Sequence, residues 1–162
     1  MDSSGNVLDE GAAQWSCVLD NDSGLIWAIK LDDSSIHDKD NLYTWFNDDA
    51  NTNQGMEGSP GGFNSCVGGI QCDTQSYLQA TNAQGLCAAT NWRLPTAAEL
   101  QQMSEEEANP VTQTQFFPHI NLDGYWSATL DNVMQRLTLS FSTLQLIPED
   151  SSNLNPAILV HD

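Results

Sequence analysis

The chain predicts an α+β fold with long polar loops. Three observations point there: short apolar–polar alternations of strand length near both ends, two capped segments of helical period between them, and four cysteines spaced for disulfides rather than for a metal. At 162 residues, one domain around a single core is expected.

Residues 15–30 read as a hairpin. Trp15, Cys17 and Leu19 alternate with polar or smaller neighbours, and Leu25, Trp27 and Ile29 do so after a turn at Asp20-Asn21-Asp22-Ser23-Gly24. That turn looks like the start of a calcium loop. Ile29 and Lys30, however, stand where an EF-hand needs a further acidic ligand, so a plain turn is favoured.

From Asp32 to Gly69 runs a polar insertion, interrupted by Tyr43-Thr44-Trp45-Phe46, whose aromatics should anchor it on the core. A helix is predicted over Asp73–Ala83, capped by Asp73 or Thr74 and stopped by Gly85. Trp92-Arg93-Leu94-Pro95 is extended, because Pro95 disfavours helix at Leu94. Thr96 then caps a helix to about Met103, with Glu99 completing a capping box. A loop carrying Phe116-Phe117-Pro118 leads to strands near Tyr125–Leu130 and Met134–Phe141, and Ala157–Val160 forms a closing strand.

Cys17, Cys66, Cys72 and Cys87 include no CxxC pair, and His37, His119 and His161 lie far apart, so zinc spacing is absent. Two disulfides are expected. Three pairings exist; the favoured one joins Cys66 to Cys72 as a clip in a Gly-rich loop and Cys17 to Cys87 as a tie between the first strand and the end of a helix. Disulfides imply an oxidising compartment, hence an extracellular, cell-surface or periplasmic location. Met1–Gly5 has neither the basic region nor the apolar core of a secretion signal, as expected of a mature chain.

Charge excludes several partners. Twenty-two acidic residues face Lys30, Lys39, Arg93 and Arg136, a net charge of -18. Nucleic acid binding requires neutralising phosphates with Lys and Arg, and this chain has almost none to offer. No apolar run approaches the roughly 18–20 residues that span a bilayer, so no membrane insertion is expected. No serine lies in a Gly-x-Ser-x-Gly elbow, no histidine pair has helical metal spacing, and a non-catalytic role is expected. The three histidines are expected on the surface.

Several blocks occur in an order that resembles a known family: Trp15–Asp20, Ser23–Lys30, Tyr43–Trp45, Asn82–Cys87, Asn91–Thr96 with Glu99-Leu100, and Tyr125–Ser127. Together they are similar to the Lcl C-terminal domain family, named for a Legionella collagen-like adhesin. The resemblance is strongest over residues 15–126. It implies a C-type lectin-like fold, with two helices flanking a small mixed or antiparallel sheet, and a ligand-recognition or adhesion module of a bacterial surface or secreted protein. The founding adhesin is associated with sulfated glycosaminoglycans, which a domain at -18 would repel unless calcium bridged the two or Arg93 or Arg136 sat in an isolated positive pocket.

The loops at 32–69 and 104–124 are the expected binding face. Asp32, Asp33, Asp38, Asp40, Asp48 and Asp49 place oxygen ligands of the kind calcium requires within a short span, which makes calcium the one candidate cofactor. Asp38, Asp40, Asn41, Phe63 and Arg136 are the candidate ligand-binding set. Trp92, Arg93, Pro95 and Glu99 are read as structural, with the Arg93 fork satisfied by a carboxylate such as Glu99. Trp15, Trp27, Trp92 and Trp126 are placed in the core, and Phe63 is the aromatic exposed by pattern. The expected partner is a glycan or a protein at a cell surface; the alternative is an assembly module of a pilus, fibre or surface complex, in which sister subunits form an oligomer.

Overall fold

The computed structural model describes residues 1–9, 11–62, 64–106, 115–131 and 134–162. Both predicted helices form, each fixed by local chemistry. Helix α1, Thr74–Gln84, starts where the Asp73 carboxylate accepts the Ser76 N–H at 2.7 Å, and it ends at Gly85, whose φ of 63° is left-handed. Helix α2, Ala97–Glu106, runs three residues beyond the predicted stop. Its capping box closes both ways: Thr96 Oγ1 accepts the Glu99 N–H at 3.2 Å, and Glu99 Oε2 accepts the Thr96 N–H at 2.7 Å. Ala97, Leu100, Met103 and Ser104 are its buried face, at the spacing one helical stripe requires.

The predicted hairpin is β1, Cys17–Leu19, against β2, Ile26–Ala28, in the register Cys17↔Ala28. Asp20 closes its turn by accepting the N–H groups of Asp22 and Ser23 and the Ser23 hydroxyl, while Gly24 supplies the positive φ of 79°. That carboxylate is a turn cap. The two strands expected near Tyr125–Leu130 and Met134–Phe141 form as β3, Gly124–Leu130, and β4, Arg136–Ser140, and they pair antiparallel.

Three expectations are corrected. A further strand, β5, Gln145–Glu149, pairs antiparallel with β4. Pro148 conceals it in the sequence, because proline reads as a strand breaker and is accommodated here at a sheet edge. The closing segment forms ladder pairs only at β6, Val160–His161, against β2. Instead of one sheet, the described residues form two three-stranded antiparallel sheets, β1-β2-β6 and β3-β4-β5. Segments outside both sheets lie between them: Trp126 N–H of β3 donates to Pro156 O at 3.0 Å and Ala128 N–H to Pro95 O at 2.8 Å, while Arg93 bridges to Val160 of β6.

The β2–β6 ribbon divides the interior. Ala157 and Leu159 face a cluster that contains Tyr43, Trp45, Tyr77, Trp92 and Trp126, whereas Ile158 and Val160 face one built from Trp27, Leu100, Met103, Tyr125 and Leu139. An apolar run buried on both faces is what a strand between two cores needs. Both favoured disulfides form: Cys17–Cys87 ties β1 to the turn after α1, and Cys66–Cys72 clips the loop before it.

The histidines also depart from expectation. His37 is buried, with Nδ1 at 3.0 Å from the Tyr77 hydroxyl and Nε2 at 3.2 Å from Gln84 Oε1. Burial pushes its pKa down to about 4. His161 is buried against the edge of the Trp92 ring. His119 remains partly exposed.

Candidate functional site

The acidic insertion spends its polar groups on itself. Asp38 is buried; its Oδ2 accepts the N–H groups of Asp33 at 3.1 Å and Ser34 at 2.7 Å, and its Oδ1 accepts that of Asp40 at 2.9 Å. Burial alone would raise its pKa, but the three backbone donors outweigh that and hold the carboxyl below its ordinary value. Asn41 is buried too, donating to Ser35 O and Ile36 O and accepting from the Val67 N–H. Asp40 and Asp32 lie 2.6 and 3.6 Å from Lys39 Nζ. Asp33 accepts the Ser35 N–H, and Asp49 accepts from Asn51 and Thr52.

Asp32, Asp38, Asp40 and Asn41 do share one recess, of about 350 Å³, with Asn64 and Ser65. Asp33, Asp48 and Asp49 are outside its walls. The predicted six-carboxylate metal set is therefore not brought together, and no group of three potential metal ligands converges among the described residues. The reason is local: in an Asp- and Asn-rich chain, backbone N–H groups capture the carboxylates as turn caps. Phe63 lies outside the described residues, as do residues 107–114 of the second expected binding loop.

Arg136 is not at a ligand surface. It is fully buried, with its guanidinium 3.4 Å from the centroid of the Trp45 ring and donating to Ala128 O, Asn53 O and Met56 O at 2.8, 2.6 and 3.1 Å. Burial lowers its pKa to about 10. Arg93 holds Glu99 through two bonds of 2.9 and 2.8 Å and also reaches Asp162 at 3.0 Å. Its neighbours behave as expected of a structural block: Trp92 is buried and Pro95 accepts from β3. Lys30 is 2% exposed, its amine has no hydrogen-bond partner, and it lies 5.2 Å from the Tyr77 ring centroid and 5.9 Å from that of Tyr43. Every Lys and Arg side chain is thus either buried or ion-paired, and the Met1 ammonium donates to Cys17 O at 2.7 Å.

A larger concavity lies elsewhere. A cavity of about 640 Å³ opens between the N-terminal segment, the β1–β2 hairpin and the far end of α2. Trp15, Trp27, Met103, Phe116 and Phe117 give it an apolar floor, and Asp20, Asn21 and Asp22 stand at its edge. Trp15 and Phe116 meet at 6.0 Å between ring centroids, tilted by 55°. Tyr43, Trp45, Tyr125 and Trp126 are buried and offer no face to a ligand. Trp15, placed in the core from its alternation with Cys17, is instead half-buried at the cavity wall. Its position two residues before β1 begins was the available signal, since beyond the ladder alternation no longer guarantees burial.

These features define a disulfide-bonded α+β domain with a turn-rich acidic insertion, an aromatic cavity and, among the described residues, no unpaired exposed Lys or Arg side chain. A family model for the Lcl C-terminal domain matches residues 16–160, nearly the whole chain, and the chain belongs to that family. It is thereby a member of an adhesin-associated domain family. No curated protein and no solved structure matches it significantly.

Proposed function

We propose that the domain is a non-catalytic recognition module of an exported or surface protein, with the cavity beside Trp15 as the mouth that receives its ligand, a glycan or a protein. The observation that carries this reading is the cavity itself: about 640 Å³, floored by aromatics and edged by polar groups, the form in which ligand sites are generally built. Two disulfides and the adhesin-associated family support an exported location. A C-type lectin-like scaffold is part of the proposal. It is supported by the antiparallel pairing of β6 with β2, which brings the two ends of the chain into one sheet. Calcium stays outside the reading, because Asp33, Asp38 and Asp49 cap turns, Asp32 and Asp40 pair with Lys39, and no three potential ligands converge among the described residues.

Arrays of glycans and of cell-surface proteins, probed with the wild-type domain and with Trp15→Ala, test the reading. Retention of a defined ligand that the substitution weakens supports it; silence on both arrays contradicts it. A second reading, an assembly module, is favoured by the β5 edge, where Leu144 and Ile147 are exposed beside an unpaired strand margin. Concentration-dependent self-association in sedimentation, without ligand, would select it.

A further inference from the structure

Resting on the recognition reading, we infer that the Trp15 cavity takes a cationic segment of another protein, an extended peptide with one apolar or aromatic anchor side chain flanked by lysines or arginines. Two independent features specify the two halves of that ligand.

The floor selects the anchor. Trp15 and Phe116 form a tilted aromatic pair at 6.0 Å, with Phe117, Met103 and Trp27 behind them, and this volume is large enough for a phenylalanine or leucine side chain with room for its backbone. Apolar surface continues outward at the rim through Val7, 84% exposed, and Leu19, 41% exposed. Exposed apolar residues beside a concave aromatic floor mark a contact surface.

The rim and the far field select the flanks. Asp20 and Asp22 stand at the edge; the Asp22 N–H donates to the Asp20 carboxylate, while the Asp22 carboxylate, exposed at the hairpin tip, makes no hydrogen bond or ion pair among the described residues. No positive side chain answers them: Lys30 and Arg136 are buried, Arg93 is held by Glu99 and Asp162, and Lys39 by Asp32 and Asp40. The formal charge of -18 is consequently presented to solvent almost uncompensated. Such a field steers cations toward the surface and repels sulfated or phosphorylated chains, which would find no free Lys or Arg side chain to meet; the Met1 ammonium at the cavity wall donates to Cys17 O at 2.7 Å. A neutral sugar would satisfy the floor and leave the field unused.

Calorimetric titration of the full chain, disulfides intact, tests this with acetyl-KKFKK-amide, acetyl-KKAKK-amide and acetyl-EEFEE-amide, and with a neutral oligosaccharide such as cellotetraose. The aromatic basic peptide should bind at least tenfold tighter than its alanine counterpart, because only the former fills the floor. Trp15→Ala should weaken KKFKK at least fivefold and leave KKAKK unchanged. Leu19→Ser, at an exposed position, should weaken KKFKK in the same sense and keeps the test open if Trp15→Ala does not fold. Asp22→Asn should cost two- to threefold at low salt and nothing at high salt.

Equal affinity for KKFKK and KKAKK overturns the inference, since it would mean diffuse attraction to an acidic surface. So does tighter binding of EEFEE. Cellotetraose binding that Trp15→Ala abolishes, with both basic peptides silent, overturns it while the recognition reading stands. Silence from every probe, together with self-association, brings both down.

Discussion

Replacing Lys30 with methionine should stabilise the fold at neutral and mildly acidic pH. The amine is 2% exposed and has no hydrogen-bond partner, and burial pushes its pKa from 10.5 down to about 7, with Asp38 offsetting only part of that. That drop corresponds to on the order of 4–5 kcal/mol of preference for the neutral form in the folded protein. Attraction to the Tyr77 and Tyr43 rings returns about 1–2 kcal/mol, which leaves a net penalty of about 3 kcal/mol for the charged side chain. Because the folded pKa lies below the unfolded one, the penalty is complete below about pH 7. It shrinks as pH rises and vanishes above about 10.5, so the wild type gains stability across that window.

The groups facing the amine do not blur the result. His37 is neutral well above its pKa of about 4, and burial pushes the Tyr77 and Tyr43 hydroxyls above the window. Methionine keeps an unbranched chain of similar length and needs no partner. Urea denaturation with disulfides intact, at pH 6, 7.5, 9 and 10, should show Lys30→Met more stable by about 3 kcal/mol at pH 6, falling to about 1 kcal/mol near pH 10 as a neutral buried amine costs less. A variant less stable at pH 6, or a difference that stays constant across the series, refutes the reasoning.

Arg136→Ala should lose at least about 3 kcal/mol in the same assay, because Ala128 O, Asn53 O and Met56 O all lose their donor; Arg136→Lys should recover less than half, since an ammonium cannot serve three carbonyls while stacked on Trp45. The two disulfides should differ in worth. Cys17→Ser/Cys87→Ser opens a loop spanning 70 residues and should cost about 4 kcal/mol, against about 2 kcal/mol for Cys66→Ser/Cys72→Ser, whose partners are 6 apart. Asp38→Ala strands three backbone N–H groups and should cost about 1–3 kcal/mol. Millimolar calcium should move the wild-type Tm by less than about 1 °C, and a larger rise would show that the acidic insertion holds an ion after all.

What could be read in the sequence follows from how far each interaction reaches. The Asp73 cap, the Thr96–Glu99 box and the Arg93–Glu99 fork act within six residues, and each formed where its spacing placed it. The Asp20 turn is equally local. Arg136 could not be placed that way, because two of its three carbonyl partners are 80 or more residues away. His37 likewise owes its burial to Tyr77 and Gln84, 40 and 47 residues distant. The acidic loop was misleading for a different reason: the residues that suit a calcium ion also suit backbone N–H groups, and the nearer partner won. The split into two sheets is fixed by pairings distant in sequence, such as β2 with β6, which no pattern of alternation encodes.

A backbone amide NMR map recorded while acetyl-KKFKK-amide is added tests most directly whether the aromatic cavity is the place where this domain meets its partner. Shifts concentrated on Trp15, Val18–Asp22 and Phe116–Phe117 are the expected result, with Leu31–Asn41 unmoved. Shifts spread evenly over the acidic surface, or gathered at Leu31–Asn41, would contradict it.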